Sequence, residues 1–476
     1  MQDVSETSGG KYQFRCIMTE RTIILGGGIS GLSLAWKLAE NGVPVTLLES
    51  GEQTGGLART VRQNGCGMDV GPHSFFSEDE EIVRIVQDLF HGQIQAAPRR
   101  VQFYYEGKYL DYPLTAGTVL FQMGYLNGLR SVLSFLKSRL MPHRPAPPPG
   151  EDETVEDWAL SSFGEHLYRT FFKPYTEQFW KIPCTELSAR SIPTHTRMSF
   201  LNTLKLLFLK KLMERGSSLI EREMLPTYYP PSGFGEIADR VTAAARQAGA
   251  EIRTGCRATE IRKQGDGTVQ VHYESGGQAG TVEGGRVVST VALHHFIRML
   301  GPEVPPAVKQ AADQLEYRAL VALGMVTTKQ HILQAGYIYL LNQPYNRISE
   351  MNAFSPHTSP PGRNILMVEM PVLRESMAWK ASKEELFALC IDSLSKDGFL
   401  QPGDVKDLIL IKEPHAYPVY RKDYASNLDA VLGFIHQQPH LSTLGRLGEF
   451  MYMDIDKCMR RAFEHAENIL QPGRHS

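Results

Sequence analysis

A run of three glycines closes a short apolar segment near the start of the chain, and no other feature restricts the fold so tightly. Thr22–Leu25 (TIIL) is β-branched and apolar, as suits a strand buried on both faces. Gly26-Gly27-Gly28-Ile29-Ser30-Gly31 follows and satisfies G-x-G-x-x-G. Leu32, Leu34, Ala35, Trp36, Leu38 and Ala39 then carry a helical pattern to the stop signal Asn41-Gly42. A second strand, Val43–Leu48, leads into Glu49, 21 residues beyond Gly28, with Ser50 after it. The first glycine permits a tight turn, the second lets backbone approach a pyrophosphate, and the third lets the helix close on the strand. The helix start offers unpaired N–H groups and partial positive charge to phosphates, and Glu49 stands where an acid accepts hydrogen bonds from ribose hydroxyls. Strand, loop, helix, strand and acid in register predict a dinucleotide-binding unit.

At 476 residues the chain has room for two or three domains and a large core. With 50 Lys and Arg against 52 Asp and Glu, nothing in the charge suggests a nucleic-acid partner. Cys16, Cys66, Cys184, Cys256, Cys390 and Cys458 are scattered without a C-x-x-C pair. That disfavours a zinc ribbon or disulfide scaffold, so no metal is expected, and reduced buried thiols in a cytoplasmic protein are. Residues 1–18 lack the apolar core of a secretory signal and read as a flexible leader. No apolar run is long enough to cross a bilayer. Leu201–Met213 (LNTLKLLFLKKLM) has the composition of an amphipathic helix. Such a helix could make peripheral membrane contact or line an apolar substrate cavity, though packing against its own protein is the commoner use.

After Glu49 the sequence continues through Gly55-Gly56-Leu57-Ala58-Arg59 and then Met68–Phe76 (MDVGPHSFF), which holds Gly71. This second glycine pair resembles the FAD-binding arm of the amine oxidase and protoporphyrinogen oxidase superfamily. Leu441–Leu470, read as a strand, a glycine turn and an amphipathic helix, resembles that superfamily's C-terminal FAD motif. The matching positions are Gly445, Arg446, Gly448 and Glu449, and Arg446 could neutralise phosphate charge. The resemblance implies non-covalent FAD and an α/β fold (α+β overall). A discontinuous Rossmann-like FAD-binding domain would comprise 19–75, 225–295 and 405–476. A mixed sheet-plus-helices substrate domain would comprise 76–224 and 296–404. Residues 142–153 form a proline-rich exposed loop, and Asp239 and Arg240 are placed on the solvent side of a helix over Tyr228–Arg246.

The substrate side resembles the UDP-galactopyranose mutase branch. Leu167–Arg190 looks like the segment carrying that family's uracil-contacting aromatics, with Tyr175 and Trp180 on those positions. His73 falls on its histidine loop, Arg347 on a diphosphate-holding arginine and Tyr417 on a diphosphate-facing tyrosine. The resemblance makes His73, Arg347 and Tyr417 the catalytic candidates, and Tyr175, Trp180, Arg347 and Tyr417 the substrate contacts. The chain departs from that pattern where a second arginine is expected, with His195 in register and Arg197 two residues on. Tyr420-Arg421 likewise replaces a polar pair. Two readings follow, both with a small-molecule substrate. The favoured one is an FAD-dependent oxidoreductase that passes hydride from substrate to flavin N5. The other is a redox-neutral isomerase of a nucleotide sugar that works through reduced FAD.

Overall fold

The computed structural model describes residues 20–97, 101–105, 107–111, 125–140, 152–192, 225–265 and 267–471. The leader, most of the proline-rich loop, Leu201–Met213, His195 and Arg197 lie outside them. Thr22–Leu25 is wholly buried and is the middle strand of a five-stranded parallel sheet. Its neighbours are Val45–Leu48 on one side and Arg286–Ser289 on the other, with Glu251–Arg253 and Leu441–Thr443 at the edges. Three stretches far apart in the chain therefore build one sheet.

Alternation along these strands divides two cores. Ile24, Leu47 and Val288 face the helices Ile29–Glu40, Glu236–Gln247 and Ile455–Leu470, where they meet Leu32, Val241 and Met459. Ile23, Leu48 and Val287 face the opposite way, toward Phe296 and an antiparallel three-stranded sheet carrying Ile261, Val271 and Val282. With period-two side chains and both faces covered, such strands read as continuous apolar runs.

The second unit is a seven-stranded mixed sheet. Its order is Val405–Pro418, Tyr317–Thr327, Asn364–Val372, Arg347–Glu350, Tyr337–Leu340, Val101–Tyr105 and Lys108–Asp111. Tyr317–Thr327 is buried at all 11 positions, and so is Asn364–Val372 at all 9. The expected boundary at residue 405 falls one element early. Val405–Pro418 pairs antiparallel with Tyr317–Thr327, so it belongs to this sheet and only the later residues return to the first. A strand's partner is a long-range choice that its own residues do not encode. Arg240 is also not a solvent residue: it donates to the Leu89 carbonyl at 2.8 Å and lies 4.1 Å from the Phe90 ring. The Glu80–Leu89 helix covers it, whereas Asp239 is exposed. Cys66, Cys184, Cys256, Cys390 and Cys458 are buried free thiols. No helix among the described residues is long and apolar enough to cross a membrane.

The helix after the glycine run presses hard on the strand before it. A Cβ at Gly31 would stand 2.1 Å from the Gly26 carbonyl oxygen, and that oxygen is backbone and has nowhere to move. Gly31→Ala should therefore cost at least ~2 kcal/mol through overpacking, read as a lower urea midpoint at unchanged slope.

Candidate active site

A cleft of about 1090 Å³ runs along the seam between the two units. Its floor is the start of the Ile29–Glu40 helix, where Gly28 takes the N-cap in extended conformation and no side chain caps the free N–H groups. A Cβ at Gly28 would meet nothing within 4 Å, so the loop opens into the cleft. That is the geometry of a phosphate seat. Ile29, Ser30, Glu49 and Ser50 also line the cleft.

Glu49 is already engaged. Its two carboxylate oxygens accept from the N–H groups of Gly27 and Gly51, each at 2.6 Å. A carboxylate has further lone pairs, so ribose hydroxyls can still be received. The second glycine pair is laid against the first loop: Gly55 N–H donates to the Gly27 carbonyl at 2.7 Å, with Gly55 at φ +106°. Gly56, Leu57, Ala58 and Arg59 continue along the cleft wall. Arg59 donates to the Gly56 carbonyl at 2.7 Å and pairs with Glu413 of the long-sheet unit.

The other end of the chain closes onto the same place. Gly445, at φ +83°, sits where a Cβ would approach the Ser30 hydroxyl to 2.4 Å. Glu449 accepts from the Gly445 N–H at 2.8 Å and pairs with Arg461, so it braces the turn. Of the four positions expected from this motif, Arg446 lines the cleft, while Gly445, Gly448 and Glu449 shape the turn behind it. The Arg446 Nε is buried without a partner, and its guanidinium lies 4.9 Å from the Tyr417 ring and 4.3 Å from that of Tyr452.

His73 also lines the cleft, stacked on Phe234 at 4.8 Å, and its Nδ1 is buried without a partner. Burial first, then the positive charges of Arg347 and Arg446, bring its pKa down to about 3, so the imidazole is neutral at physiological pH. Gly71, at φ +122°, brings the chain past His73, Arg347 and Glu369. Two unpartnered buried nitrogens, an open glycine loop and an uncapped helix start together fit an FAD molecule.

Arg347 and Tyr417 stand next to His73 and Arg446 but not in the cleft wall. Arg347 Nε and Nη2 donate to the two oxygens of Glu369 at 2.5 and 2.7 Å, with Glu369 only 2% exposed. Burial works against the arginine's charge, yet the carboxylate outweighs it and holds the pKa above the ordinary value. Tyr417 meets Phe179 at 5.0 Å and Trp180 at 6.4 Å, and runs parallel to Tyr452. Tyr175 packs on Phe179 and Tyr339, and Arg347 in turn faces Tyr337 and Tyr339. The expected substrate residues thus form one aromatic layer around one buried ion pair.

Sequence reading missed several members of this layer. Phe179 and Tyr452 lay among unremarkable aromatics, but Glu369 had a signal: it is the lone charge in the apolar run NILMVEMPV. Asp69 gave none. It is fully buried and accepts from Thr60, Tyr229 and the Phe234 N–H, and burial still pushes its pKa up to about 6.

A glycine loop, a second glycine arm and a C-terminal glycine turn that meet on one cleft define a two-unit FAD-binding flavoenzyme. The sequence model of flavin containing amine oxidoreductases matches residues 29–421, and the chain belongs to that family. It is 27% identical over 173 residues to dTDP-fucopyranose mutase of Escherichia coli, which is 36% of this chain and 44% of that protein. It is 32% identical over 180 residues to the chloroplastic protoporphyrinogen oxidase of Oryza sativa subsp. japonica, 36% of this chain and 32% of that one. These matches span less than half the length of either relative. The crystal structure of reduced UDP-galactopyranose mutase superposes with a TM-score of 0.79 over 95% of this chain and 94% of that one, at 20% identity. The chain is an enzyme whose cofactor is FAD.

Two tests follow from the site. Glu369→Ala strands a buried guanidinium and should cost ~3–5 kcal/mol, while the pair Arg347→Met with Glu369→Leu should recover most of the loss in urea unfolding. His73 binds fewer protons folded, at a pKa of about 3, than unfolded at 6.5. Its contribution to stability is complete above pH 6.5 and is lost as pH falls toward 3. Asp69 acts with the opposite sign, so the comparison is between parent and variant: His73→Gln should flatten the acid-side loss of stability.

Proposed function

We propose that the chain is an FAD-dependent oxidoreductase that takes hydride from a C–H bond of an apolar, small-molecule substrate. The observation that carries this reading is the commitment of Arg347. Glu369 takes its Nε–Nη2 edge, the edge best shaped for a bidentate anion, so a diphosphate is left with the Nη1 side alone. The aromatic layer of Tyr175, Phe179, Trp180 and Tyr417 supports an apolar substrate.

When bound, FAD supplies the hydride acceptor, and the chain's residues bind, orient and desolvate. The Ile29–Glu40 helix start receives the pyrophosphate. Arg446 and the neutral His73 present their unpartnered nitrogens to the cofactor side of the cleft. Arg347 and Tyr417 act as the rigid wall behind them. A second reading, a pyranose–furanose mutase acting on a nucleotide sugar, is favoured by Trp180 and Tyr417 standing beside two arginines. The named activity of the dTDP-fucopyranose mutase relative points the same way.

The two separate in one experiment on the flavin-loaded protein. Anaerobic mixing with a porphyrinogen, the donor class of the protoporphyrinogen oxidase relative, should bleach the oxidised flavin absorption. With the flavin already reduced, UDP or dTDP should leave tryptophan fluorescence unchanged. Saturable nucleotide binding, lost in Arg347→Ala and Trp180→Ala, overturns the oxidoreductase reading in favour of the mutase.

A further inference from the structure

Three histidines gather at the seam. His294 and His295 begin the Leu293–Met299 helix, which follows the Arg286–Ser289 strand of the parallel sheet. His415 comes from the Val405–Pro418 strand of the seven-stranded sheet. Their ring centroids are 4.2, 5.0 and 4.9 Å apart, and one nitrogen from each lies within 4.8 Å of the others. The Nε2 of His415 is buried and has no hydrogen-bond partner. His295 and His415 face the cleft.

A buried imidazole nitrogen with nothing to bond is costly unless a ligand satisfies it. The neighbours offer no such ligand. Tyr317 is beside the rings, but its hydroxyl donates to the Leu447 carbonyl at 2.7 Å and accepts from the Leu293 N–H at 3.1 Å. The charges around the trio are Arg257, Arg298 and Arg374, against Asp313. This net positive field opposes any dication, so only an ion bound strongly through nitrogen coordination can overcome it, and Ca²⁺ and Mg²⁺, which need oxygen ligands, cannot. Three imidazoles are the donor set of borderline dications, and nitrogens at ~2.1 Å from a tetrahedral ion stand ~3.4 Å from one another. Closing from 4.8 Å asks a turn of two half-buried rings and of the more exposed His295.

We propose that His294, His295 and His415 form a three-nitrogen site for a Zn²⁺-class dication, with the fourth position open to the cleft. The ion would tie the dinucleotide-binding unit to the long-sheet unit at a point where the chain supplies no covalent link. No metal was expected from the sequence, since the first two ligands are adjacent and the third follows 120 residues after His295. The proposal does not depend on which reaction the flavin performs.

The test is a titration of the flavin-loaded, chelator-stripped full chain with Zn²⁺ alone, read by calorimetry and by thermal unfolding. The expected result is one ion per chain and a rise in Tm that saturates with it, whereas Mg²⁺ gives neither. His415→Ala and His294→Gln should each weaken binding at least tenfold and remove the Tm rise, and His294→Gln, whose ring is not in the cleft lining, should keep the parent's flavin content. Exposed His436→Ala should bind as the parent does. Should His415→Ala lose its flavin, His294→Gln alone decides the titration. No saturable binding at millimolar Zn²⁺, or equal binding in parent and trio variants, overturns the proposal.

Discussion

The closeness of one helix to one strand governs this molecule. Because Gly31 lets the Ile29–Glu40 helix sit against the Gly26 carbonyl, the helix start is held at the edge of the parallel sheet with its N–H groups free. Everything at the cleft is positioned from there. The Gly55 arm hydrogen-bonds to the loop, and the Gly445 turn from the far end of the chain lies on Ser30. A cofactor seat assembled from both ends can form only when the whole chain has folded.

The second organising element is electrostatic. Arg347 and Glu369 form a buried, doubly hydrogen-bonded pair whose net contribution to stability is small but whose disruption is expensive. Its role is to hold shape: the arginine plane fixes Tyr337 and Tyr339, and Tyr339 in turn packs against Tyr175. Burial first, and then this charge and that of Arg446, keep His73 neutral. A neutral histidine beside two guanidiniums is a hydrogen-bonding group in the cleft, not a competing cation.

Much of the FAD half was legible because its signals are local. A strand, a glycine loop and a helix are adjacent in sequence, and Gly31 answers to the Gly26 carbonyl five residues before it. Glu449 shows the limit of that reading. Its place in a recognisable turn said that it mattered, yet it braces Gly445 and Arg461 from behind the cleft. Asp69 shows another limit, since an acid in a short strand carries no mark of the buried network it completes.

From its order of residues alone, the chain determined that it would build a parallel sheet of dinucleotide-binding type, with a glycine loop between its first strand and first helix. Those properties rest on hydrophobic period, backbone permissiveness and short spacing. Only the tertiary structure decided that Val405–Pro418 joins the long sheet, that Arg347 is bound to Glu369, and that three histidines meet at the seam. Each of these joins residues separated by many intervening positions. Pairing at that range is set by which surfaces the rest of the fold leaves facing one another, and no local pattern records it.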